Sequence, residues 1–211
     1  MDDHLIIHLV RHAETIWHLE DKYAGHTEIE LSKNGIDQSI KLKSWASTQN
    51  IDMIYTSALG RSIFTAKPSA ESLSIIPMIS SNLNEVNFGE IEGLTKNEFK
   101  TNFPNVWQDF QVSPATTLFP GGETGSSALT RSLKCILDIL SKNESSEVMI
   151  ISHGTLIRLL LTHFLSKDLN QYRNLFPVID NIGITTISLE KSSSDAENFK
   201  DFKIYRYNSS Y

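Results

Sequence analysis

Two short stretches, "LIIHLV" at residues 5–10 and "EVMIIS" at 147–152, constrain the fold of this chain more than any other feature. Each is strongly apolar and too short for a core helix, so each reads as a buried strand. Each also ends abruptly in polar chemistry, the first in Arg11-His12 and the second in His153-Gly154. A buried guanidinium beside an imidazole is costly unless something negative meets it.

The segments between and after them are helical or extended in alternation. "LSKNGIDQSIKLKSWASTQ" predicts a helix with Ser32 as N-cap and with Ile36, Ile40 and Trp45 at helical spacing. "IDMIYTS" (51–57) reads as a further strand, and 58–73 as a helix that Pro68 should bend or interrupt. "GGETGSSALTRSLKCILDILSKN" is amphipathic, with Leu129, Leu133, Ile136, Leu137 and Leu140 on one face. "TLIRLLLTHFL" reads as an apolar helix, Ser192 to Asp195 as a polar turn, and "IGITTISLE" and "FKIYRYN" as final strands, the last at an edge. Strands alternating with helices predict an α/β fold with a mainly parallel sheet. Residues 74–122 carry four prolines and scattered aromatics with no long periodic element, which predicts a functional loop region such as a lid.

The 211 residues fit one domain with a sizeable core. A net charge of −6 argues against a nucleic-acid or anionic-membrane surface. Against that acidic background a cationic pocket would be specific. One cysteine, Cys135, sits in the apolar pattern of a helix and reads as a core residue. The first residues are acidic where a signal peptide is basic, and the apolar run is too short to span a bilayer. The expectation is a cytoplasmic protein.

Parallel α/β sheets bind ligands beyond the carboxyl ends of their strands. Applied here, that rule brings His12 and His153 to one sheet edge, with Arg11 beside them and Arg61 on the turn after "IDMIYTS". Two arginines and two histidines match a tetrahedral dianion, because guanidinium groups bind phosphate oxygens in bidentate fashion.

The motifs carrying this pattern resemble those of the histidine phosphatase superfamily, the phosphoglycerate mutase-like proteins. "LVRHAET" resembles its LVRHGET signature. "IYTSALGRSIFTA", "LNEVNFGEIEG" and "IISHG" resemble, in order, the segments with the second arginine, the catalytic acid and the second histidine. The resemblance implies a three-layer α/β/α sandwich with a mainly parallel, mixed-edge sheet, formed by a single domain over 1–211 with a lid-like insertion at about 74–122. It implies that His12 attacks phosphorus to give a phosphohistidine, with Arg11, Arg61 and His153 on the equatorial oxygens. Glu85 becomes the general acid and then the base, for which its pKa should be raised in the closed pocket. Thr15, His18, Gly25, Gly154 and Thr155 fall at substrate-contact positions. No cofactor or metal is implied, since cationic side chains supply the charge. The chain departs from the family at Ala13, usually Gly, and at His18, usually an Asn that binds phosphate.

Other residues have plainer readings. Glu90 and Glu92 compete with Glu85 but read as structural or solvated. The Pro120-Gly121-Gly122-Glu123 turn reads as the start of the following helix. His4, His8 and His12 would align as metal ligands on a helix, but the segment is a strand and nothing completes a site. His163 reads as a core or surface histidine, while Trp107 and Phe110 either pack or touch substrate. The expected partner is a small phosphorylated metabolite, with neither nucleic acid nor membrane, and oligomeric state is left open. The activity implied is a phosphomonoesterase of the α-ribazole or broad-specificity type. A bisphosphoglycerate-dependent mutase is the alternative, and a non-catalytic phosphate-binding module the third.

Overall fold

The computed structural model describes residues 4–141, 147–190 and 202–210, so the turn expected at Ser192 to Asp195 lies outside it. The first half contains β1 (His4–Arg11), α1 (Ile16–Leu19), α2 (Lys33–Ala46), β2 (Met53–Ser57), α3 (Gly60–Leu73) and β3 (Met78–Ser80). After α4 (Lys96–Asn102) and α5 (Pro104–Val112) come α6 (Gly125–Ser141), β4 (Glu147–Ser152), α7 (Gly154–Phe164), α8 (Tyr172–Leu175), β5 (Ile184–Glu190) and β6 (Lys203–Ser209).

The six strands among the described residues form one sheet in the order β3-β2-β4-β1-β5-β6. The first four are mutually parallel, and β5 runs antiparallel to both of its neighbours. Successive side chains of a strand point to opposite faces, and here both faces are covered. Leu5, Ile7 and Leu9 of β1 and Val148 and Ile150 of β4 pack with α6 and α7 residues such as Ile136 and Leu160. Val10, Met149 and Ile151 pack on the other side with Leu42 and Ala46 of α2 and Ala66 and Ala70 of α3. This is the three-layer α/β/α arrangement, and the continuous apolar runs of β1 and β4 follow from it. His8, on the second face, is buried against Trp45 and pairs with Glu147 at 2.8 Å. Among the described residues no helix is long and apolar enough to cross a membrane.

Three local expectations meet a different outcome. Ser32 does cap α2, accepting from Gly35 N–H at 2.9 Å. The buried face of that helix, however, is Gly35, Ser39, Leu42 and Ala46, while Ile36 and Ile40 are exposed. Helix α3 runs through Pro68 without interruption. Proline frees the carbonyl four residues earlier, that of Phe64, whose side chain is on the exposed side where water can bond it. The 74–122 segment holds β3, α4, α5 and two 3₁₀ turns at Ser81–Leu83 and Gly89–Ile91. Thr95 and Glu98 form a capping box for α4, and Pro104 starts α5. The aromatics of the segment pack together, with Phe119 at 4.9 Å from Phe88 and 5.0 Å from Phe110, and Trp107 on Phe99.

Candidate active site

The strand register places the two histidines. Arg11 pairs with Ser152 at the ends of β1 and β4, so His12 and His153 leave the sheet side by side, their ring centroids 5.0 Å apart. His12 N–H extends the ladder to the Ser152 carbonyl at 2.9 Å. The His12 ring has a defined tautomer. A carbonyl can only accept, so Nδ1, 2.7 Å from Ala13 O, carries the proton and Nε2 carries the lone pair. Burial, and then the charges of Arg61, Arg11 and His18, hold its pKa well below the usual 6.5. His153 is fully buried and its pKa is also held well below 6.5, first by burial and next by Arg61; its Nε2 lies 2.8 Å from Ser57 Oγ.

The two arginines are anchored by backbone. Arg11 donates from Nη1 to Ile179 O at 2.6 Å, and Asn181 of the same loop donates to His12 O. Arg61, on the first turn of α3 and fully buried, donates to the carbonyls of Gly25 at 2.6 Å and Thr27 at 3.0 Å. Each guanidinium keeps an Nε that is buried and has no partner among the described residues. Desolvation brings Arg11 down to about 10, with Arg158 and Arg61 acting in the same direction and Glu85 and Asp180 opposing. Gly25 is where the 25–27 loop comes too close for a side chain: a Cβ there would stand 2.0 Å from Glu92 Oε1. The Glu92 carboxylate accepts from the N–H groups of His26, Thr27 and Phe88, which gives it a structural role.

Glu85 is 6% exposed and sits at the N-terminus of α7. Its Oε1 accepts from Val86 and Leu156 N–H, and its Oε2 from Thr155 N–H at 3.0 Å. The loop that carries it is buckled by Arg131 of α6, a residue that the sequence analysis did not single out. Arg131 donates to the carbonyls of Asn82, Asn84 and Glu85 at 2.7–2.9 Å and to the Glu123 carboxylate at 2.7 Å. Glu123 therefore faces Arg131 and Asn87 N–H at 3.0 Å, tying the 120–123 turn to the acid-bearing loop.

His18 replaces the expected asparagine with a different bond. Its Nε2 is 2.5 Å from Arg11 Nη2 and must accept, because a guanidinium has no lone pair to offer. Its Nδ1 lies 2.7 Å from Thr15 Oγ1 and 3.1 Å from the Thr15 backbone N, which ties the ring to the N-cap of α1. Burial, followed by the Arg11 charge, lowers its pKa to about 4, so it faces Arg11 as a neutral acceptor.

A cavity of about 610 Å³ collects these groups. Arg11, His12, His18, Glu85, Gly154 and Thr155 line it, together with Tyr23, Phe88, Phe110, Tyr172 and the cationic Arg158 and Arg173. Arg61, His153, Thr15 and Gly25 stand behind this wall, the first three fully buried. Gly154 permits the approach of Arg11, whose Nε would lie 3.3 Å from a Cβ there. Phe110 both packs in the aromatic cluster and lines the cavity, whereas Trp107 packs on Phe99.

The match to known proteins agrees with this geometry. The family model of the histidine phosphatase superfamily (branch 1) matches residues 7–201. Phosphoserine phosphatase 1 of Hydrogenobacter thermophilus is 26% identical over 87% of this chain and 86% of its own length. A 2,3-bisphosphoglycerate-dependent phosphoglycerate mutase of Chlamydia caviae is 30% identical over 72% of this chain and 81% of its own. The native structure of a mycobacterial glucosyl-3-phosphoglycerate phosphatase superposes with a TM-score of 0.86 at 21% identity, covering 98% of this chain and all of that one. With strands, motifs and full-length matches in agreement, this chain is an enzyme of the histidine phosphatase superfamily, branch 1.

Proposed function

We propose that the protein is a metal-independent phosphomonoesterase acting on a small phosphorylated metabolite through a phosphohistidine on His12. The supporting observation is the state of His12: neutral, protonated on Nδ1, and set between two arginines that have no carboxylate ion pair among the described residues. Its Nε2 accepts no hydrogen bond from a described residue, which suits in-line attack on phosphorus. Arg11 at the cavity wall and Arg61 behind it, each with an uncommitted Nε, supply positive charge towards the equatorial oxygens, where charge sits in the transition state, and the neutral His153 offers an unpartnered Nδ1.

Glu85 is the proton carrier in this reading. Oε1 already takes two backbone donors, while Oε2 takes one and retains a lone pair on which a proton can reside. That proton goes to the leaving alkoxide as the P–O bond breaks. The resulting carboxylate then takes a proton from the water that attacks the phosphohistidine, releasing phosphate and restoring His12. The 74–122 segment, which supplies Glu85, Phe88, Lys96 and Phe110 to the cavity, acts as the cover on the leaving-group side. The expected location is the cytoplasm.

The same residues serve a phosphoglycerate mutase that retains the product and returns the phosphoryl group, and the identity to the Chlamydia caviae mutase keeps that reading in play. Phosphate release from a panel of phosphomonoesters, with and without EDTA, run beside a mutase assay primed with 2,3-bisphosphoglycerate, separates them. Hydrolysis that survives EDTA, is blocked by vanadate and vanishes in His12→Ala supports the phosphatase. Activity that requires a divalent ion overturns the mechanism, and turnover in the primed assay alone overturns hydrolysis in favour of the mutase.

A further inference from the structure

The cavity carries more positive charge than one phosphoryl group uses. Beyond Arg11, its wall includes Arg158 of α7 and Arg173 of α8, with Lys22 and Lys96 at the rim. Lys22 pairs with Glu20, and Lys96 sits 5.7 Å over the Trp107 ring. Arg158 and Arg173 have no carboxylate within ion-pair distance among the described residues. Arg158 spends one Nη2 hydrogen on Pro177 O and keeps a buried Nε without a partner. Arg173 is stacked face-on over Phe110 at 3.7 Å and its Nε donates to Tyr172 Oη at 3.2 Å. The carboxylates that line the cavity are Glu85, engaged by backbone donors, and Asp21, which is exposed.

An acidic protein that stations two arginines on one cavity wall, one held by an aromatic ring and a tyrosine hydroxyl and the other by a backbone carbonyl, presents two oriented donors there. Guanidinium forks of this kind recognise carboxylate or phosphate oxygens. We propose that Arg158 and Arg173 form a second anion subsite, so that the alcohol released is itself anionic, bearing a carboxylate or a further phosphate. This rests on the phosphomonoesterase reading and narrows it. Neutral or cationic alcohols of the same size lack the group that would satisfy the pair, and a site built to bond a polar group rejects analogues without it.

The test compares 3-phosphoglycerate with glycerol 3-phosphate, which lacks the carboxylate, and fructose 1,6-bisphosphate with fructose 6-phosphate, which lacks the second phosphate. Each ester is measured as kcat/KM for hydrolysis in the wild type. Independently of turnover, it is measured as a dissociation constant on the His12→Ala variant by calorimetry. A preference of about 10- to 100-fold for one anionic partner is expected, the size of a charged hydrogen-bonded contact, and the pair that shows it identifies carboxylate or phosphate. Arg158→Gln and Arg173→Gln should each shrink that ratio at least several-fold, with Arg173→Lys recovering part of it if charge suffices. Equal affinity for both members of both pairs, or a ratio unchanged in the Gln variants, overturns the subsite. Charge-selective binding without any hydrolysis would leave the subsite standing and instead overturn the phosphomonoesterase reading.

Discussion

His18 Nε2 accepts from Arg11 Nη2 at 2.5 Å, so an imidazole and a guanidinium are neighbours without repulsion as long as the imidazole is neutral. Its folded pKa is about 4 against the usual 6.5. Between those values an unfolded chain binds a proton that the folded chain does not, so stability falls as pH drops from about 6.5 towards 4 and is flat above. The expected outcome is a urea midpoint that drops between about pH 7.5 and about pH 5 in the wild type and drops less in His18→Asn. An identical drop in both proteins would show that this ring does not carry the pH dependence. The buried His8, His12 and His153 are depressed in the same sense and contribute to what remains in the variant.

Removing the proton carrier should depend on the leaving group. Glu85→Gln keeps the size of the side chain but cannot hold and release the proton. A general acid is worth roughly 10²–10⁴ in rate. A loss of that order in kcat/KM, which stops at formation of the phosphohistidine, is expected for alkyl phosphates and a much smaller one for p-nitrophenyl phosphate, whose phenolate leaves without help. Equal losses on both would argue for a purely structural Glu85.

Arg131 should show the same signature at lower amplitude, because it acts on the loop rather than on the substrate. Arg131→Gln frees the carbonyls of Asn82 and Asn84, leaves that of Glu85 to His26 Nε2 alone, and deprives Glu123 of its arginine. A stability loss of about 1–3 kcal/mol follows from unpaired, partly buried acceptors. In addition kcat/KM should fall more for alkyl than for p-nitrophenyl esters. If only stability changes, measured by urea titration alongside kinetics, the clamp does not position the acid.

Gly25→Ala asks a different question. The added Cβ would lie 2.0 Å from Glu92 Oε1 and 2.7 Å from Val86 O, so the loop must move, and with it the carbonyl that holds Arg61. Overpacking of this kind costs about 1–3 kcal/mol. Vanadate affinity should weaken as well, since Arg61 loses its anchor; unchanged affinity would mean the arginine is held without the loop.

How much was legible before folding depends on the range of the interaction. Local periodicity and capping are encoded within a few residues, so β1, β4, the amphipathic α6 and the Ser32 cap could be read directly, and the motif order pointed to Arg11, His12, Arg61, Glu85 and His153. The capping box of Thr95 and Glu98 was also readable in principle, but α4 and α5 have only seven and nine residues and too little periodicity to stand out. Which face of α2 is buried could not be read, because Gly35 and Ser39 are chosen for close approach to neighbours while Ile36 and Ile40 face out.

The sequence by itself thus determined five of the six described strands, all but β3, together with the family motifs and the chemistry that ends β1 and β4. Tertiary structure alone decided the His12 tautomer, the His18 acceptor bond, the Arg131 clamp and the meeting of Arg158 and Arg173 on one cavity wall. The physical reason is that backbone carbonyls and stacked rings carry no mark in a sequence. Glu85 O and Arg131 are 46 residues apart and meet only once the sheet has set the loops above it.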